Sequence, residues 1–187
     1  MTYILIFDKI LLEVSFLNNW ICNNEYSFKN KNFCKIFDFY VLKTPVNDVS
    51  QRGITFKQRN FRDANEVLNN MKKIVPKLFL IYNCIDKNEN LEEQLKMNGI
   101  FNHLEQPFEY ALFKRHDKLG KTESFFYYIR CALAHGSFCV HKYENSTFYY
   151  LENTYKEKGK HSSTLNARMI LKEDTLLKII DLCNSRI

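Results

Sequence analysis

Proline and glycine are scarce in this chain, at three and five among 187 residues. So few turn formers argue against an all-β sandwich, which needs many reversals, and favour long helices. Paired cysteines are missing too. Cys22, Cys34, Cys84, Cys131, Cys139 and Cys183 form no CxxC and sit mostly among apolar neighbours, the pattern of buried thiols in a reducing cytoplasm. No long unbroken apolar run is present. Residues Tyr3 to Phe16 are apolar but interrupted by Asp8, Lys9 and Glu13, and lack a small-residue cleavage site. Neither a signal peptide nor a membrane span is expected, so the chain reads as a soluble cytoplasmic protein with no membrane partner. There is no internal repeat, no low-complexity tract and no helix-turn-helix with a basic recognition face, which leaves little for a DNA-binding regulator.

What is present is a folded composition. With 45% hydrophobic and 15% aromatic residues, the chain is long enough for one domain over residues 1–187 with a substantial core. Its net charge of +6 is mildly basic, compatible with a polyanionic partner without requiring one.

Apolar residues at helical spacing predict a first helix over residues 3–17 and a short one near Phe33 to Val41, in a stretch to residue 60 that is otherwise hard to assign. Ala64, Val67, Leu68, Met71 and Ile74 form the next stripe, behind Asp63, and Pro76 divides it from Leu78 to Ile85. Helices are predicted over 91–97 and over 101–119, the latter capped by Gly120, with another starting near Thr122. The period then changes. Residues 138–142 and 147–152 read as a hairpin across Glu144-Asn145-Ser146, with a third strand over 165–171 and a last helix over 173–184. The sum is a mainly α fold: a helical bundle with a small antiparallel hairpin or meander inserted before its last helix.

The most informative stretch runs from Phe125 to Gly136. At about 100° per residue, Phe125, Phe126, Ile129, Ala132 and Leu133 share an arc of roughly 120° that can face a core. Arg130 and His135 flank the remaining surface about 140° apart, with Tyr127, Cys131 and Ala134 between them. A permanent cation and a titratable imidazole around small residues suit phosphodiester chemistry.

Arg130-Cys131-Ala132-Leu133-Ala134-His135 fits an Arg-x4-His motif, and with it the chain resembles the HEPN superfamily. Ile129 to Phe138 (IRCALAHGSF) is similar, more specifically, to the plasmid-borne, pEK-type HEPN family of bacteria. The resemblance continues through Phe148 to Glu152, Arg168 to Leu171 and Thr175 to Leu177, covering about residues 120–185. It implies a HEPN-like helical bundle that pairs as a homodimer. It also implies a metal-independent endoribonuclease of toxin–antitoxin, abortive-infection or anti-phage defence type, with a possible antitoxin or defence-system partner. The arginine and histidine of both protomers would line one cleft, and no metal or other cofactor is needed.

RNA carries its own nucleophile, the 2′-OH, beside the phosphate. His135 is then the candidate acid/base and Arg130 the clamp on the phosphate oxygens, with Tyr127, Tyr128, Cys131 and Ser137 as site-lining residues. Cys131 follows the arginine where active HEPN nucleases often carry Asn, and Ser137 stands where one toxin class has a tyrosine that its antitoxin modifies. The alternative is a non-catalytic HEPN module that binds RNA or a nucleotide, or serves only for dimerisation. Cys131, His135, Cys139 and His141 match no familiar zinc spacing. Lys156, Lys158, Lys160 and His161 form a basic loop that could attract RNA or merely be solvated. His103, Lys114, Arg115 and His116 read as the wet face of a helix.

Overall fold

The computed structural model describes residues 30–46, 53–100, 106–156 and 163–186. The helix expected over 3–17 lies outside them, as do His103, Lys158, Lys160 and His161.

The described residues form a five-stranded mixed sheet flanked by helices, not a mainly helical bundle with one inserted hairpin. The chain enters α1 (Lys31–Phe37), which continues as a π-helical turn over Asp38–Leu42. After α2 (Ala64–Ile74) comes a 3-10 turn, Pro76–Ile81, and then β1 (Tyr82–Ile85). The short α3 (Leu91–Met97) connects β1 to β2 (Tyr110–Lys114). Then follow α4 (Lys121–Ala134), β3 (Phe138–Tyr143), β4 (Ser146–Lys156), β5 (Ser163–Lys172) and α5 (Glu173–Asn184).

The strand order is β1-β2-β5-β4-β3, with β1 parallel to β2 and every other pair antiparallel. A parallel pair needs a crossover, and α3 supplies it. The expected hairpin and third strand are therefore the outer part of a larger sheet. β2 contradicts the helix expected over 101–119, and the reason is its burial. Ala111 and Phe113 enter the core on one face of the sheet, while Tyr110 and Leu112 enter the core on the other. A strand covered on both sides shows no polar–apolar alternation, so its period is invisible in sequence.

The larger core joins α1, α2, α4 and α5 to one face of the sheet. Within it, the Phe126 ring lies 5.4 Å from Phe56 and 6.0 Å from Tyr40. The smaller core lies on the opposite face, where Leu91 and Leu95 of α3 meet Leu112, Phe148, Tyr150 and Ile170. Glu152 and Arg168 pair at 2.6 Å in neighbouring strands, both buried.

Local chemistry sets the helix ends. Asp63 caps α2 by accepting from the Glu66 amide at 2.9 Å, while the Glu66 carboxylate accepts from the Arg62 amide at 2.7 Å. Gly120 is not the C-terminal cap of a preceding helix; it is the N-cap of α4, and its amide donates to Glu123 at 2.8 Å. Thr122 is likewise no cap: its hydroxyl donates to the Ala64 carbonyl at 3.0 Å and ties α4 to α2. At the other end, the Ser137 amide reaches the Ala132 carbonyl and the Gly136 amide reaches Leu133. This Schellman closure needs a left-handed residue, and Gly136 provides it at φ +69°. The chain then turns directly into β3.

Candidate functional site

β1, β2 and β4 end, and β5 begins, at the same end of the sheet. α4 runs past that end, and a groove of about 640 Å³ opens there. That is room for a nucleotide-sized ligand.

One wall is α4. Tyr127, Cys131 and His135 follow one another at four-residue steps and so form a row along the helix, with Tyr128 beside them. His135 is exposed at the helix C-cap, held there because Gly136 ends the helix one residue later. Tyr127 is half-buried and Tyr128 is buried. Burial, with Cys131 as hydrogen-bond partner and neighbour, pushes the Tyr127 phenol up to about 12, against an opposing pull from Arg130. Tyr128 is also raised, mainly by burial. Both remain neutral phenols at working pH and can offer rings and hydroxyls, but not phenolate bases.

The second wall is the turn after β2, where Lys114, Arg115, His116 and Asp117 line the groove together with Lys87. The His116 amide donates to the Ser124 hydroxyl at 3.1 Å, which fastens this turn to α4. Its ring packs 4.5 Å from that of Tyr127. Lys87 pairs with Asp117 at 3.2 Å and Arg115 with Asp86 at 3.5 Å, all four exposed. Such surface pairs are weak and can be exchanged for a phosphate at little cost. Three cations against one carboxylate leave the lining basic.

The third wall comes from the strand ends. Asn153, Thr154 and Tyr155 of β4 and Asn166 of β5 lie beside the irregularity that shifts the β4–β5 register between Asn153 and Thr154. A bulge of this kind turns side chains away from the regular pleat.

The structure brings together four of the six expected site residues: Tyr127, Tyr128, Cys131 and His135. It does not bring Arg130 to the groove. Arg130 sits half-buried on the flank of α4, and its Nε is buried with no hydrogen-bond partner. Ser137 is also outside. Its amide and carbonyl are engaged by Ala132 and by the Glu152 amide, so it is a joint between α4 and β3. Lys114, Arg115 and His116 do not lie on a helix face but at a strand end, in the groove itself. Their clustering was visible in sequence, but their proximity to His135 arises only from the pairing of β2 with the rest of the sheet. Among the described residues no group of three or more His, Cys, Asp or Glu side chains could hold a metal ion. No helix among them is long and apolar enough to cross a membrane.

The groove thus offers an exposed imidazole, a second imidazole, paired aromatic hydroxyls, a basic wall and an amide-bearing wall. Compared with known proteins, the chain matches no family model, no curated protein and no solved structure.

Proposed function

We propose that the chain is a metal-independent endoribonuclease whose cleavage centre is the α4 groove, acting as a homodimer in growth arrest or anti-phage defence. The single observation that carries the reading is the position of His135: an exposed imidazole opening onto a groove lined by Lys87, Lys114, Arg115 and three tyrosines. Cations there bind the phosphates, and aromatic rings offer stacking surfaces to bases.

In the proposed reaction the 2′-oxygen attacks the adjacent phosphorus while its proton leaves to a base. The bond from phosphorus to the 5′-oxygen breaks, and that oxygen takes up a proton. His135 serves as acid or base, the role open to an imidazole near neutral pH. The products are a 2′,3′-cyclic phosphate and a 5′-hydroxyl. In this reading Arg130, which lies on the flank of α4 outside the groove of its own protomer and has a buried, unpartnered Nε, comes from a second copy packed along this helix. There its guanidinium holds the developing phosphorane charge.

Binding of RNA or a nucleotide without turnover is the second reading, favoured by Arg130 lying outside the groove of its own protomer. End-group analysis separates the two. Purified chain incubated with single-stranded RNA in EDTA should release fragments carrying 2′,3′-cyclic phosphate and 5′-hydroxyl ends. Retention of intact RNA on the protein, with no such ends, supports the second reading and removes the first.

A further inference from the structure

His116 accepts a hydrogen bond at Nδ1 from the backbone amide of Lys118, at 3.3 Å. A neutral imidazole has one donor and one acceptor nitrogen, so engaging Nδ1 as acceptor leaves the proton on Nε2. The ring is braced on one side by Tyr127 at 4.5 Å, and its own backbone is fastened to Ser124 of α4. It lines the same groove as His135. We propose that His116 is a second functional histidine of this groove, serving not as the acid or base but as a fixed Nε2–H donor to a non-bridging oxygen of the phosphate on which His135 acts. This rests on the reading of the groove as an RNA-cleaving site.

The two imidazoles differ in what holds them. His135 is an exposed helix-terminal residue for which no side-chain hydrogen bond is present among the described residues, so neither ring nitrogen is committed as donor or acceptor. His116 would have to give up its Lys118 bond before Nδ1 could be protonated, and its Nε2 already carries hydrogen. It is therefore suited to donate a hydrogen bond and poorly suited to abstract a proton. The groups around it supply the complementary parts. Lys87, Lys114 and Arg115 bring positive charge, Asp117 balances one of them, and the Tyr127 phenol stays neutral. Charge from flexible lysines draws a phosphate in, while a braced neutral donor sets where its oxygen lies. A donor fixed before the reaction needs no reorganisation as charge develops, which is the condition for strong transition-state stabilisation.

Two measurements test this. Long-range proton–nitrogen NMR of the imidazoles should show His116 as the Nε2–H tautomer in the free protein. Its Nε2 resonance should shift on addition of a 2′-O-methyl RNA tetranucleotide, which has phosphates but no 2′-hydroxyl nucleophile. In RNA cleavage, His116→Gln keeps an N–H near the Nε2 position and should retain activity within about tenfold, whereas His116→Ala should lower kcat about 10²-fold with little change in KM. The proposal is overturned by the opposite tautomer, by an Nε2 that ignores the tetranucleotide while His135 responds, or by equal losses in the Gln and Ala variants. If neither histidine responds and the wild-type chain does not cleave RNA, the nuclease reading itself has failed and this inference goes with it.

Discussion

The rings of Tyr127 and His116 pack 4.5 Å apart and tilted by 50°, joining the middle of α4 to the turn that follows β2. One contact thus connects two walls of the groove. Tyr127 contributes through its ring, because its phenol remains protonated well above neutral pH.

Tyr127→Phe keeps that ring and loses only the hydroxyl, so RNA binding should stay close to wild type. Tyr127→Ala removes the brace on His116 and a surface for a base. It should weaken binding by about 1–3 kcal/mol, read by titration with single-stranded RNA at fixed salt. Equal affinities for all three proteins would mean that the ring takes no part.

The groove depends on α4 keeping its place on the sheet. Phe126 is fully buried among Phe125, Phe56, Phe39 and Tyr40. Phe126→Ala should therefore destabilise the fold by about 3–5 kcal/mol, measured by urea denaturation with an unchanged slope. A loss below about 1 kcal/mol would contradict this packing.

Acid should loosen the start of α2. Backbone and side-chain hydrogen bonds, with nearby arginines, hold the Asp63 and Glu66 carboxyls below their ordinary values. A depressed carboxyl stabilises the fold above its unfolded-state value, and that contribution is lost as pH falls through the folded-state value. Stability should therefore be flat above about pH 5 and decline below about pH 4. Asp63→Asn keeps a capping oxygen but cannot titrate, so the midpoint of denaturation should fall less steeply with acid than in wild type.

Much of this architecture can be read from the residues, and what cannot has definite causes. The α2, α3 and α5 segments carry apolar stripes behind capping or acidic residues, and they fold as expected. The 138–152 hairpin is marked by runs rich in Val, Tyr, Phe and Thr on either side of Glu144-Asn145-Ser146, and the structure reverses it at Glu144, whose φ is +50°. β1 has only four residues, and β2 is buried on both faces, so neither shows a strand period. With those two strands illegible, the sequence of a five-stranded mixed sheet reads as a helical bundle. At the site, the row Tyr127, Cys131 and His135 follows from helical spacing alone. His116, Lys87 and the wall of Asn153, Thr154, Tyr155 and Asn166 are distant in sequence and converge only through strand pairing. The Arg-x4-His motif groups Arg130 with His135, yet about 140° of helix separates them on one chain.

That separation gives the proposed dimer a direct check. Arg130→Ala and His135→Ala proteins should each be inactive, and mixing them should restore RNA cleavage as exchanged subunits rebuild one intact groove. A mixture as inactive as its components, under conditions where subunits demonstrably exchange, would show that Arg130 does not act across an interface.

The most direct measurement is single-turnover cleavage of a defined single-stranded RNA in EDTA by wild type and His135→Ala, with the melting temperature of each recorded. Wild type should cleave without metal, and His135→Ala should lose at least about 10²-fold in rate at an unchanged melting temperature, as expected for removal of a general acid or base. Cleavage that requires added divalent metal, or that proceeds undiminished without the His135 imidazole, would contradict the account.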